Sequence, residues 1–219
     1  MKRLLPLLTA LLLLCPAARA EIVGRAGNDY IHQWTAPSGQ PLYFVSAEQD
    51  PYVRMEDVNF DGVEDVVATT LLGARNFGAV FFVWDGEAYV PVTLPGEDVL
   101  MNYTLHPQLG LVETLVSEGP GGVMSTRKIW RWKGTELELM RTASGSEVTE
   151  MTVEGDIVTT ATDRSLVRLR VWDNLTSMEA NGVIGPALLM DMTIDFSDED
   201  TLHAATQAMD EFIWDGLLP

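Results

Sequence analysis

From Tyr30 to Arg170 the chain alternates short apolar runs, rich in Val, Thr, Phe, Tyr and Trp, with clusters of Gly, Pro, Asp and Asn. Such runs read as strands, because β-branched and aromatic side chains fit a pleated, half-buried surface. The pattern predicts strands at Leu42–Ser46, Tyr52–Met55, Asp65–Thr69, Val80–Trp84, Tyr89–Thr93, Leu111–Val116, Lys128–Trp132, Glu136–Arg141, Val148–Val153, Ile157–Thr162 and Leu166–Trp172. Their small gaps imply a mainly β, antiparallel architecture, propeller-like or sandwich-like. Two gaps carry tight-turn chemistry: Asp85-Gly86 and Lys133-Gly134, where Gly supplies the positive φ that hairpin turns demand.

The two hairpins share an aromatic, a Gly and a later apolar residue at an offset of 48 positions, near the length of a propeller blade, and Trp172-Asp173-Asn174 gives a fainter third copy. Reuse of Gly-centred turns in any sheet protein explains the same similarity. Near the C-terminus the period changes. Ser197-Asp198-Glu199-Asp200 offers a cap and first-turn acids, and Leu202, Ala205, Met209, Phe212 and Ile213 follow at three-to-four spacing. One C-terminal α-helix near 198–214, packed on the sheet, is expected. Residues Asn174 to Phe196 fit either further strands or an irregular wrap.

The first twenty residues stand apart. Lys2 and Arg3 precede an apolar run from Leu4 to Leu14, and Ala18-Arg19-Ala20 ends it, which is the layout of a secretory signal peptide cleaved before Glu21. The expectation is one β-rich domain over 21–219, periplasmic or secreted. Cleavage removes three bases and no acid, so the formal charge of −18 falls to −21, against 32 acids. So acidic a chain does not read nucleic-acid phosphates through a basic face, and no other apolar stretch approaches the length of a membrane span. The only cysteine, Cys15, lies inside the leader, which leaves no disulfide or thiolate chemistry in the exported form. A rival reading makes Cys15 a lipidation site, although Leu14 before it is bulkier than lipoprotein processing prefers.

The sharpest chemical signal is Glu56-Asp57-Val58-Asn59-Phe60-Asp61-Gly62-Val63-Glu64-Asp65. Oxygen-bearing side chains recur at Asp57, Asn59, Asp61 and Asp65, and alternate residues of a tight loop can converge on one centre. Calcium takes six to eight oxygen ligands at about 2.4 Å, and the Val63 carbonyl with water would complete the shell. Gly62 permits the sharp turn. The twelfth position of an EF-hand falls on Ala68 and the following residues read as strand, so an EF-hand is excluded. A plain solvated turn is the alternative, but clustered carboxylates repel one another unless a cation offsets them.

This loop, Asp57-x-Asn59-x-Asp61-Gly62-x-x-Asp65 followed by a strand, resembles the calcium loop of FG-GAP and VCBS-type repeats, found in integrin heads and in secreted bacterial β-propellers. The stretch Asp57 to Arg141, with Gly73-Ala74-x-Asn76, Val83-Trp84-Asp85-Gly86, Gly119-Pro120-Gly121-Gly122 and Trp130-Arg131-Trp132-Lys133-Gly134-x-x-Leu137-x-Leu139, looks like small exported bacterial proteins with a single such repeat, here near 52–92. The resemblance implies a non-catalytic, calcium-stabilised, propeller-like fold, some members of which are similar to periplasmic inhibitors or immunity proteins that block cell-wall lytic enzymes. It carries over Asp57, Asn59, Asp61 and Asp65 as ligands. Integrin-like propellers show several such loops and this chain shows one, which counts against a closed ring of blades.

An active site is not legible. His32, His106 and His203 lack metal-ligand spacing, and no nucleophile elbow, P-loop or HExxH occurs. Trp130 and Trp132 share a face with Lys128, a pattern met more often in cores than in ligand platforms. Gly119–Gly122 lacks the helix and Lys of a phosphate cradle. Asn102-Tyr103-Thr104 and Asn174-Leu175-Thr176 fit glycosylation sequons. Three functions remain open: an exported calcium-binding, non-catalytic domain that binds a cationic protein, as an inhibitor or immunity factor for a wall-lytic enzyme; a wall-glycan or polysaccharide hydrolase using an acid pair; or a calcium-dependent adhesion or sensory module.

Overall fold

The computed structural model describes residues 19–118, 124–154, 157–180, 183–195 and 198–217. The leader up to residue 18 and the Gly119–Gly122 loop lie outside them. Strands β1 (Glu21–Ala26), β2 (Asp29–Thr35) and β3 (Pro41–Ser46) form a first sheet in chain order. A second sheet runs β4 (Val53–Glu56), β5 (Asp65–Leu72), β6 (Phe77–Trp84) and β7 (Tyr89–Pro91), with β8 (Leu100–Met101) also paired to β6. The third contains β9 (Thr104–His106), β10 (Leu111–Ser117), β11 (Ser125–Lys133), β12 (Glu136–Glu154), β13 (Ile157–Ala180) and β14 (Val183–Asp195), again in sequential order. All pairings between these strands are antiparallel, and α1 (Glu199–Trp214) follows.

Side-chain alternation turns these sheets into a stack. On β5, Val66 and Ala68 face the first sheet, where they join Trp34, Leu42, Phe44, Phe82 and Tyr89 in one apolar cluster. Val67, with Ala79, Phe81 and Val83 of β6, faces the opposite way onto Val112, Trp130 and Leu137 of the third sheet. The outer face of the third sheet, including Ile129, Leu169 and Val171, receives Ala205, Met209 and Ile213 of α1. A strand buried on both faces has no solvent side to fill with polar residues, which is why β5 shows no regular apolar–polar alternation.

The fold is mainly β and sandwich-like, with one C-terminal helix, and no sheet closes into a ring among the described residues. Both expected hairpins form, with Gly86 at φ 105° and Gly134 at φ 64°. They lie in different sheets. The third copy at Trp172-Asp173-Asn174 is not a hairpin: it lies inside β13, where pairing with β14 is irregular between Asp173 and Ser177.

Several strands differ from expectation. Glu136–Arg141 and Val148–Val153 belong to one 19-residue strand, and Ile157–Thr162 and Leu166–Trp172 to one of 24 residues. The polar residues between them mark register shifts, not chain reversals, because a bulge absorbs the extra residues without a turn. Strands β1 and β2 escaped the pattern since β2 places His32 at a buried position, where its ring stacks on Phe44 at 5.4 Å. Of the stretch left open above, Asn174 to Ala180 finish β13 and Val183–Asp195 form β14. In α1 the cap is Asp198, whose side chain accepts from the Thr201 amide, and Phe212 falls on the exposed flank instead of the packed face.

Phe81 is 2% exposed and meets Tyr103 edge-to-face at 4.8 Å in the middle of the stack. Phe81→Ala is expected to cost about 3–5 kcal/mol, read as a drop in the denaturant midpoint at unchanged slope.

Candidate metal centre

The turn between β4 and β5 is built from its own side chains. Asn59 Oδ1 accepts from the Asp61 amide at 3.1 Å, and Asp61 Oδ1 from the Val63 amide at 2.8 Å, two successive turns in which a side chain mimics a backbone acceptor. Asp57 Oδ2 accepts from the Gly62 amide at 3.0 Å, which draws the two ends of the turn together. The Asn59 amide donates to Asp61 Oδ2 at 3.0 Å. Phe60 at φ 66° and Gly62 at φ 86° adopt left-handed backbone, which the reversal requires.

Asp65 occupies a different position. It opens β5 opposite Glu56 and is fully buried. Its Oδ2 accepts from the Val58 amide at 3.1 Å and its Oδ1 from the Trp84 amide at 2.9 Å, so one carboxylate ties the turn to β6. Burial pushes its pKa up and the nearby Asp61 adds to the rise, while the amides of Trp84 and Val58 work against it. The turn is also anchored to the third sheet, where Trp132 Nε1 donates to the Val58 carbonyl at 2.8 Å. Across β7, the Tyr89 hydroxyl donates to the Glu64 carbonyl at 3.3 Å, and burial raises its pKa with help from Asp65 and Glu64.

The predicted donors thus share one turn but not one role. Asp57, Asn59 and Asp61 lie along it, Val63 is exposed at its outer side, and Asp65 is at its base. Among the described residues no three Asp, Glu, His or Cys side chains gather closely enough to hold an ion by themselves. The donor set nonetheless suits a hard cation. It consists of oxygen atoms, and Asp57 Oδ1 is buried without a hydrogen-bond partner. A buried acceptor left unpaired is costly, and a cation is one group that satisfies it. Each carboxylate oxygen that accepts one amide keeps a second lone pair.

Elsewhere the sequence signals resolve into structure. His32 Nε2 lies 2.9 Å from the Glu48 carbonyl, and His106 Nε2 lies 2.9 Å from Glu113 Oε2, whose other oxygen meets Arg127 Nε at 2.8 Å. Neither histidine is isolated, and both are held by the fold. Trp130 and Trp132 pack between the second and third sheets, as their shared face suggested. The sequon Asn102 has its amide committed to the Leu115 carbonyl at 2.7 Å and to Asn76 Oδ1 at 3.0 Å. Asn174 donates to Thr142 Oγ1 at 2.9 Å. The pairing of Asn76 with Asn102, and that of Tyr103 with Glu56, were not read from sequence, since nothing local marks residues joined across 26 or more positions.

Fold and turn together define an acidic, layered antiparallel β protein with an oxygen-rich turn at its central sheet. No family model matches the chain, and no curated protein matches it. Among solved structures, the crystal structure of CarG aligns with 78% of this chain and 98% of its own at 15% identity, with a TM-score of 0.28. A superposition that loose carries no argument about fold or activity. No helix among the described residues is long and apolar enough to cross a membrane.

Removing Asp65 strands two amides inside the protein, whereas Asp61 is exposed. Asp65→Ala should lose about 2–5 kcal/mol of stability in chelator, while Asp61→Ala in the same buffer should lose under about 1 kcal/mol. Equal losses in paired urea titrations would show that Asp65 is not the structural tether.

Proposed function

We propose that this chain is an exported, calcium-stabilised, non-catalytic binding domain that blocks a cationic cell-wall lytic enzyme. The observation that carries the calcium half is the buried, unpartnered Asp57 Oδ1 among oxygen donors. Asp57, Asn59, Asp61, the Val63 carbonyl and Asp65 would hold the ion. Calcium, when bound, supplies positive charge that offsets the repulsion among the carboxylates. The chain's own part is to keep the turn closed through the amides of Val58, Gly62 and Trp84 and to place it at the edge of the central sheet.

The binding half is supported by charge and by the resemblance to exported FG-GAP- and VCBS-type proteins. A formal charge of −18, more negative still after leader cleavage, steers cationic proteins toward it at rates that fall with ionic strength. Many cell-wall lytic enzymes, which work on anionic envelopes, are of that sign. Inhibition requires only that the acidic surface cover the enzyme's cleft.

Calcium at about a hundredfold excess over Kd should stabilise the exported chain by about 2.7 kcal/mol, seen as a higher melting midpoint that chelator reverses. Asp61→Ala should remove the shift. Asp85→Ala should keep it, because the Asp85 carboxylate serves the β6–β7 turn by accepting from the amides of Glu87 and Ala88 at 2.9 Å. An unchanged midpoint in millimolar calcium would remove the metal from the proposal. In turbidity assays on cell walls, equimolar protein should suppress lysis by a cationic lysozyme or amidase at low salt, and less so as salt rises. Lysis undiminished across a panel of such enzymes, or lysis by the protein itself, would overturn the inhibitor reading.

A further inference from the structure

The two facing sheets at the N-terminal side of the stack are unequal in width. The first has three strands, while the second has four in sequence and β8 besides. Strand β3 is therefore an edge, and beside it, over β6 and β7, a cavity of about 800 Å³ is left between the layers. Five consecutive residues, Tyr43 to Ala47, line one wall. Successive side chains point to opposite faces, so backbone atoms of β3, the edge strand, also border the cavity. Val80, Phe82 and Pro91 line the other wall.

Strand β3 is pinned at its ends and free between them. At one end Gln40 Nε2 donates to the Tyr89 carbonyl at 2.8 Å and Gln40 Oε1 accepts from the Tyr89 amide at 2.7 Å. At the other, the Ala47 amide donates to the Thr70 carbonyl at 2.8 Å. Between these anchors, among the described residues, β3 makes backbone bonds to no strand but β2. The edge lacks the usual protections: β3 has no Lys and no bulge, its Pro41 stands only at the start, and Tyr43 and Val45 are 55% and 43% exposed. Asp29 and Asp98 border the cavity, no cation lines it, and neither acid is ion-paired among the described residues.

We infer that this gap receives one extended segment of a cationic protein, added along β3 as the fourth strand of the first sheet, with apolar side chains turned onto Val80 and Phe82 and basic ones toward Asp29 and Asp98. Backbone pairing along an open edge supplies affinity and the alternate side chains supply selection. The free run of β3 spans about 16 Å, room for about five extended residues. The inference deepens the binding-domain reading and rests on it for the sign of the partner's charge.

The test uses a fluorescein-labelled peptide of about ten residues alternating Val and Lys, titrated by anisotropy into the calcium-supplemented exported chain. Saturable binding that weakens with salt is expected. It should fall about tenfold or more with a peptide of equal charge whose alternate backbone nitrogens are methylated, and similarly with Asp29→Lys/Asp98→Lys. Circular dichroism and melting midpoints identify any variant that fails to fold, and the methylated peptide needs no variant. Equal affinity for both peptides means charge attraction alone and overturns the inference. So does occupation of the gap by a second copy, seen as a dimer in sedimentation that the peptide does not dissociate. In the wall-lysis assay, inhibition untouched by the peptide sinks the β3 site and spares the inhibitor reading. Strand-specific peptide binding without inhibition of any lytic enzyme does the reverse.

Discussion

The central sheet depends on one buried carboxylate. Strand β5 is buried on both faces because it lies between two other layers, yet it opens with Asp65, which is wholly inaccessible. That charge is tolerable because two backbone amides from different elements, Val58 in the turn and Trp84 at the end of β6, point at its oxygens. Hydrogen bonds of this kind to an ionised acceptor are stronger than neutral ones, and in a desolvated place they are worth more still. Burial nevertheless wins the balance, since the pKa of Asp65 is raised, not lowered. The turn is therefore closed at a cost in charge that its own amides only partly offset.

This constraint connects the turn to the layers. Val58, between two of the donor-bearing positions, is completely buried on the side facing the third sheet, and its carbonyl receives Trp132 from that sheet. A change in the turn is thus felt by β11 as well as β5. Any group that lowers the electrostatic cost at Asp57, Asp61 and Asp65 tightens the junction of two sheets, which is the physical sense in which a cation there would stabilise the fold.

Much of the architecture was legible in the sequence because its signals are local. The Gly-centred hairpins at Gly86 and Gly134, the strand that begins at Asp65 and the capped amphipathic helix each follow from residues a few positions apart. The misses are non-local. The breaks inside β12 and β13 look like turns because Ser, Gly and Asp interrupt the apolar pattern, whereas the pairing of β12 with β13 carries the extended backbone through them. His32 disguised β2 because its buried side faces a carbonyl acceptor and an aromatic ring that only the fold brings near. At the turn, residue types announced an oxygen site, but the sequence gives no sign that Asp65 also serves β6, since Trp84 is 19 positions away.

The layers also explain where a surface is left unfinished. A middle sheet must be covered on both faces, and the third sheet with its long strands covers one of them. The three-stranded first sheet covers the other face only in part, leaving apolar residues of β6 and β7 beside an open strand edge. In most proteins such an edge is guarded by a lysine or a bulge. Here the acidity of the molecule as a whole bears on the edge: a second copy approaching it brings the same negative charge, so self-association is opposed. Net charge thus opposes at this edge what a single inward-pointing charge opposes elsewhere, and it does so without occupying the backbone groups of β3.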